Sequence, residues 1–424
     1  MNHFELKDGV MHAEAVSLEA VAAEVGTPAY VYSAATLRRH ARVLRAAMDG
    51  HGETKGALIA FAVKASSNLS VLKVLAAEGL GADTVSEGEI RRALAAGIPP
   101  DRIVFSGVGK TDAELAFAVQ TGVLEINVES AAELDRLIAV AAALKARPDI
   151  VFRVNPNVGS GAHAKITTGG ARDKFGAPVE EAMALYARAA ASPHVRPMGL
   201  ACHIGSQITD LSPFRSAFAV LRRMTLDLRA QEFSVERLDF GGGLGVPYFD
   251  QPGEVDPADY AAVAAEAARG LDVQLAFEPG RMIAANAGVL LSRVIHVNER
   301  PGGPRFLVLD AAMNDLMRPA LYDAFHDIRP VRPRGGESGP YDVVGPVCET
   351  GDTFARDRDL PSLQAGDLVA FMTAGAYGAT MSNEYNSRPL VPEVLVDGDR
   401  WAVVRPRPTY DEMLAREPLA AWLR

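Results

Sequence analysis

Residues 58–105 read LIAFAVKASSNLSVLKVLAAEGLGADTVSEGEIRRALAAGIPPDRIVF, and their rhythm decides the reading of most of the chain. An apolar run at 58–63 gives way to a segment of helical spacing at 69–78. A second run at 82–85 precedes a second such segment at 87–96, and a third run follows at 103–105. Short β-branched or aromatic runs suit strands, while Ala/Leu/Glu/Arg segments with apolar residues three and four apart suit helices. Working outward, further strands are expected at 124–128, 150–154, 198–203, 237–240 and 274–277. Helices are expected between them at 112–121, 131–145, 179–191, 214–230 and 257–269. The strand runs are almost continuously apolar, as strands covered on both faces are. Eight strands, each followed by a connecting segment, are what a closed (β/α)8 barrel needs, although an open doubly wound sheet has the same periodicity. The expected fold class is therefore α/β: a TIM-type barrel over residues 33–283, plus a C-terminal β-rich domain.

That second domain is read from a change of texture after Asn286. Runs at 289–297, 305–309, 341–344, 367–372, 393–396 and 401–404 are separated by Gly, Pro and Asp turns, with few long helices. The pattern points to an antiparallel β domain over residues 284–424, with residues 1–32 expected to contribute. Residues 330–340, rich in Pro, Gly and Arg, read as an exposed loop within it.

Composition narrows the class of function. The chain has 424 residues, 48% hydrophobic and 23% charged, which suits a soluble protein with more than one core. A formal net charge of -10 disfavours nucleic acid and anionic membranes, whose phosphates it would repel. The 2 cysteines, Cys202 and Cys348, form neither a disulfide framework nor a metal-ligand spacing, and they suit a reducing compartment. The start of the chain is polar and acidic, unlike a signal peptide, and no apolar stretch approaches a membrane span. A cytoplasmic protein without a bound metal is expected.

In barrels of this kind the chemistry sits on loops after the strand C-termini. Lys64 closes the first run. It is either a surface lysine or a partly desolvated amine able to form a Schiff base. His203 ends the sixth run, as a satisfied structural histidine or as a ring stacked on a planar cofactor. Gly241, Gly242, Gly243 and Gly245 follow the seventh; four glycines in five positions let backbone N–H groups approach an anion. They open no dinucleotide-binding unit. Glu278-Pro279-Gly280-Arg281 follows the eighth. This is either an ion pair at the rim, or Glu278 on a heterocyclic nitrogen with Gly280 and Arg281 near a phosphate or substrate carboxylate. Lysine, histidine, glycine loop and carboxylate together describe a pyridoxal-phosphate site.

These residues closely resemble those of the diaminopimelate decarboxylases, in the alanine-racemase-like group of pyridoxal-phosphate enzymes. The resemblance is carried by Phe61-Ala62-Val63-Lys64-Ala65, by His203-Ile204-Gly205-Ser206-Gln207, by the triple glycine from Gly241 and by the run from Glu278 to Arg281. The second domain adds the segment from Met313 to Tyr322, Cys348-Glu349-Thr350-Gly351-Asp352, Ala374-Gly375-Ala376-Tyr377-Gly378, and Tyr385-Asn386-Ser387-Arg388-Pro389. Two positions depart from the family: Ser66 stands where Asn is usual, and Thr350 where Ser is usual.

The resemblance implies decarboxylation of meso-diaminopimelate to L-lysine and CO2, the last step of lysine biosynthesis. It implies Lys64 and Cys348 as catalytic residues, with Cys348 supplied by the other subunit of a homodimer that shares its active sites. Pyridoxal 5'-phosphate would be held by Lys64, Asp83, His203, Ser206, Gly242, Gly243, Glu278, Gly280, Arg281 and Tyr377. The substrate would be held by Arg281, Arg318, Tyr322, Glu349 and Tyr377. A carboxylate at Glu278 would keep the ring nitrogen protonated, where the arginine of alanine racemases would not, and this favours decarboxylase over racemase. Residues 157–176, with His163, Lys165 and Lys174, read as either a mobile lid or an inert loop. The alternatives are a decarboxylase of ornithine, arginine or carboxynorspermidine, and a non-catalytic pyridoxal-phosphate carrier.

Overall fold

The computed structural model describes residues 2–159, 168–170, 173–248 and 255–423. Contacts divide the chain into two compact units, one of residues 37–247 and 252–283, the other of residues 1–36, 248–251 and 284–424.

The first unit is a closed barrel. Its parallel strands are Leu58–Ala62, Gly81–Thr84, Ile103–Phe105, Glu125–Val128, Asp149–Asn155, Arg196–Ala201, Arg237–Asp239 and Gln274–Phe277, each paired with the next. The last strand returns to the first, with Ala276 opposite Leu58 and Phe277 opposite Ile59. That pairing excludes the open sheet, which leaves its edge strands unpaired. The intervening helices start where side chains satisfy their first N–H groups. Ser86 and Ser130 accept from the third residues, Glu89 and Glu133, of helices Glu87–Ala95 and Ala131–Ala143. Thr111 and Glu114 form a reciprocal capping box on Asp112–Thr121.

Aromatic rings fill the layer between the later strands and helices Ser212–Ala230 and Pro257–Ala268. Phe218 stacks on Phe240 with centroids 4.1 Å apart, and Tyr260 meets Phe214 edge-on at 5.0 Å and Phe277 at 5.9 Å. All five side chains are buried. Phe240 immediately precedes the glycine run, so this cluster fixes the floor on which the rim is built.

The second unit is β-rich. Strand Gly288–Glu299 lies at its centre and pairs antiparallel with Arg305–Leu309, Leu368–Phe371 and Ala29–Ser33. Two pairings run parallel, Arg305–Leu309 with Gly339–Val344 and Ala29–Ser33 with Glu393–Asp397, so the expected antiparallel domain is in fact a mixed one. Neither parallel pair is joined by a hairpin, which leaves its direction free of the turn. Strands Phe4–Lys7, Val10–Ala13 and Val16–Ser17 form a three-stranded meander that packs Phe4, Val10 and Met11 with Val289, Leu291 and Val394. Strand Thr353–Leu360 escaped the sequence reading because its charged, solvent-facing residues break the apolar pattern. Among the described residues, no helix is long and apolar enough to cross a membrane.

Replacing Phe218 with Ala removes a fully enclosed ring and is expected to cost about 3–5 kcal/mol. Leu226→Ala on the exposed face of the same helix should cost less than about 0.5 kcal/mol. Denaturant unfolding of both variants checks the assignment of the two faces.

Candidate active site

Backbone ladders continue past the strand ends and bind the rim loops to one another. Cys202 N donates to Asp239 O at 3.0 Å, Phe240 N to Ala276 O at 2.9 Å, Ala62 N to Pro279 O at 3.0 Å, and Glu278 N to Gly241 O at 2.7 Å. The residues that end or follow four different strands are therefore held by main chain rather than by flexible side chains.

Lys64 lies in a single helical turn, Val63–Ala65, directly after the first strand. Its Nζ donates to Asp83 Oδ2 at 3.0 Å, and the Asp83 side chain is fully enclosed at the end of the neighbouring strand. A buried carboxylate that accepts from the lysine aims an otherwise free-swinging amine at the mouth. Asp83 Oδ1 and the hydroxyl of Ser66 are buried without a hydrogen-bond partner among the described residues. Such orphaned atoms are rare in folded proteins and mark a place where a ligand's polar groups belong.

His203 and the glycine run are one device. The amide of Gly242 donates to His203 Nδ1 at 3.1 Å, which makes Nδ1 the acceptor and leaves the proton on Nε2. Burial, then the charges of Lys64 and Arg153, hold the imidazole well below the usual histidine range, so the ring is neutral. The bond needs main chain at close quarters. A Cβ on Gly241 would lie 2.2 Å from Cys202 O, and one on Gly242 would lie 2.1 Å from Glu278 O. Gly241 and Gly243 also adopt left-handed φ values of +65° and +113°. Nearby, Arg281 donates from Nε and Nη2 to Ser206 Oγ at 3.3 and 3.1 Å, which fixes the guanidinium beside the same loop.

Glu278 is buried, and its Oε1 faces the hydroxyl of Ser106 at 3.4 Å; Ser106 in turn accepts from Asn127 Nδ2 at 3.0 Å. Burial first, then the negative charges of Asp239 and Asp83, push the Glu278 carboxyl well above the usual range. On the next strands Arg153 pairs with Glu129 at 3.2 Å, and Glu129 also accepts from the Gly107 and Gly176 amides at 2.9 and 3.0 Å.

The second unit carries the remaining sequence candidates. Arg318, buried, donates to His326 Nε2 at 2.8 Å and lies over the Tyr248 ring at 4.9 Å. His326 Nδ1 faces Met372 O at 2.9 Å and must donate there, so Nε2 is an acceptor and the arginine is aimed by a neutral ring. Tyr322 is half-buried at the end of the short helix Arg318–Tyr322. Cys348 and Glu349 occupy an exposed turn built on Asp352, whose carboxylate accepts from Met313 N at 2.6 Å and Val347 N at 2.7 Å. The Cys348 amide donates to Asn386 Oδ1 at 3.0 Å, and Tyr385 hydrogen-bonds Glu349. Tyr377, half-buried, has φ +56° in a turn where a Cβ on Gly375 would lie 2.1 Å from Ala284 O. A left-handed non-glycine residue is locally strained, and such strain collects at functional sites.

Comparison with known proteins places this geometry. The family model "Pyridoxal-dependent decarboxylase, pyridoxal binding domain" matches residues 35–285. A diaminopimelate decarboxylase of Zymomonas mobilis is 48% identical over 421 residues, covering 99% of each chain, and one of Pseudomonas aeruginosa is 47% identical over 419 residues, also covering 99% of each. The chain belongs to the diaminopimelate decarboxylase family. A crystal structure of the M. jannaschii diaminopimelate decarboxylase in complex with L-lysine superposes with a TM-score of 0.94 at 34% identity, covering 100% of both chains.

Within this decarboxylase barrel, Lys64, Asp83, His203, Ser206, Gly242, Gly243, Glu278, Gly280 and Arg281 all follow or end strands on the same rim. Asp239, Ser106, Asn127, Arg153 and Glu129 were not singled out from sequence. The available signal was charge inside otherwise apolar runs, as in Phe152-Arg153-Val154 and Leu238-Asp239-Phe240. Much of the stretch at 157–176, including His163 and Lys165, lies outside the described residues.

Glu89, in the first turn behind Lys64 and Asp83, was also not foreseen. Burial raises its carboxyl from 4.5 to about 7, opposed by the Val85 amide and aided by Asp83. A carboxyl raised on folding contributes stability that is complete below about pH 4.5 and is lost as pH climbs to about 7. Glu89→Gln should therefore match the wild type in thermal stability at acid pH and exceed it at alkaline pH. A melting-temperature difference that is constant with pH would contradict this.

Proposed function

We propose that this chain decarboxylates meso-diaminopimelate to L-lysine and CO2 with pyridoxal 5'-phosphate held on Lys64, in the cytoplasm, as a homodimer that shares its active sites. The observation that carries the reading is the convergence on one barrel rim of an amine aimed by Asp83, a neutral imidazole and a buried acid. The residues fit the cofactor. The glycine run offers main-chain N–H groups where side chains cannot stand, and orphaned buried oxygens lie beside the amine. When bound, the cofactor supplies an aldehyde carbon and a ring able to accept the electrons that departing CO2 leaves behind.

The protein's share is positioning and proton control. Lys64 provides the attachment amine, and Asp83 orients it. His203 presents an uncharged ring, which can lie against a planar heterocycle without repelling a cationic one. Glu278 faces the ring nitrogen. Gly242, Gly243, Gly280, Arg281, Ser206 and Tyr377 hold the phosphate side. Cys348, from the partner subunit, returns a proton to the carbon that lost its carboxylate. Arg281, Arg318, Tyr322 and Tyr377 bind the substrate, with the arginines meeting its distal carboxylate and Glu349 its distal ammonium. A substrate without that carboxylate, such as ornithine, would leave buried guanidinium unneutralised.

Purified protein with cofactor should convert meso-diaminopimelate to lysine with CO2 release, and do so far faster than it decarboxylates ornithine, arginine or carboxynorspermidine. Preference for any of those three would replace this assignment with theirs. Arg318→Ala should raise KM for meso-diaminopimelate by about 10- to 100-fold, the loss of a charge-assisted contact. An unchanged KM would remove Arg318 from substrate binding.

A further inference from the structure

Among the described residues, the ion pairs of the barrel leave an acidic couple to balance itself. Lys64 is matched by Asp83 at 3.0 Å, Arg153 by Glu129 at 3.2 Å, Arg237 by Glu125 at 2.8 Å and Lys110 by Glu133 at 2.6 Å. Asp239, fully buried at the end of strand Arg237–Asp239, has no such base among the described residues. Its Oδ1 accepts from the Gly241 amide at 2.7 Å, while Oδ2 has no amide, hydroxyl or cationic donor among the described residues. Its carboxyl is nevertheless within hydrogen-bonding reach of that of Glu278. Two carboxylates can make such a bond only around a proton.

We propose that Asp239 is a positioning residue for the reaction, sharing one proton with Glu278 and so holding a cationic ring nitrogen in the bound cofactor. This rests on the reading that Glu278 faces that nitrogen. The step is a proton transfer alone: the Glu278 O–H bond breaks, an N–H bond forms, Glu278 becomes a carboxylate, and Asp239 remains an anion throughout. Asp239 acts at a distance, because its negative charge raises the cost of removing the proton from the Glu278–nitrogen pair.

The surroundings agree in sign. Burial raises both carboxyls. Burial, and for Glu278 the negative charge of Asp239, keep one proton on the couple, available to the ring that Glu278 faces in this reading. The other groups that face the couple are Asp83 and Lys64 from the first two strands, Glu125 and Arg153 from the fourth and fifth, Cys202 after the sixth, and Tyr260. Burial holds Cys202 and Tyr260 above their ordinary ranges and therefore neutral. Lys64 and Arg153 are each engaged by a carboxylate of their own. The net local field is negative and favours a ring cation. Asp239 also ties this chemistry to the glycine run, because Gly241 donates its amide to Asp239 and accepts from the Glu278 amide through its carbonyl.

The test is nuclear magnetic resonance of the holoenzyme reconstituted with cofactor carrying an isotope-labelled ring nitrogen, titrated across about pH 6 to 9. The wild type should keep the nitrogen protonated throughout. Asp239→Asn keeps an acceptor for the Gly241 amide but removes the charge, and should weaken the nitrogen's hold on its proton by about 10-fold or more, seen as deprotonation at lower pH. Asp239→Glu should restore the wild-type signal. If Asp239→Asn does not fold, Asp239→Ser, also neutral and able to accept, is measured in its place. A neutral variant whose ring-nitrogen titration matches the wild type overturns the proposal. Glu278→Gln is the control: if it too leaves the signal unchanged, the placement of Glu278 on the ring nitrogen fails, whereas a change there alone sinks only the role of Asp239.

Discussion

Closure of the barrel between its last and first strands is the constraint on which the site depends. With Phe277 opposite Ile59, the residue that follows the eighth strand and the residues that end the first two are forced onto one rim. Parallel pairing makes this general. Every strand's C-terminal end points the same way, so whatever follows each strand is delivered to a common mouth without any long-range design of the loops. The ladder bonds beyond the strands then remove the remaining freedom, fixing the glycine run and Glu278 to one another through main chain.

A mouth built this way concentrates charge, and charge in an enclosed site must be balanced locally. The barrel does so with pairs drawn from neighbouring strands. Lys64 with Asp83 and Arg153 with Glu129 each join residues that lie on or directly after adjacent strands. The imidazole of His203 is kept neutral by burial and by the two nearest cations, which suits a ring that must lie close to another ring. The second unit follows the same logic, with neutral His326, held by the Met372 carbonyl, aiming Arg318 over an aromatic face. In both units a histidine acts through a fixed tautomer rather than through titration.

Position on the rim was legible where a chemical group terminates an apolar run. Lys64, His203 and Glu278 all stand at such ends, and the periodicity that locates the strands locates them too. Groups inside the runs were not legible in this way. Arg153, Glu125 and Asp239 interrupt the apolar runs at 150–154, 124–128 and 237–240 without ending them, and what each one meets is set by barrel closure and strand order, not by spacing along the chain. The parallel pairing of Ala29–Ser33 with Glu393–Asp397 was illegible for the same reason, since it joins segments from opposite ends of the sequence. The motif ending at Asp352 was legible as a resemblance, but its cause is structural: the carboxylate gathers two amides to build the turn that presents Cys348.

Lys64 is the proposed point of attachment of the cofactor. Borohydride reduction of the cofactor-loaded protein followed by proteolysis and peptide mass mapping tests it most directly. The account predicts a reduced pyridoxyl adduct on the peptide containing Lys64 and no other. An unmodified Lys64, or an adduct on a different lysine such as Lys110, would contradict it.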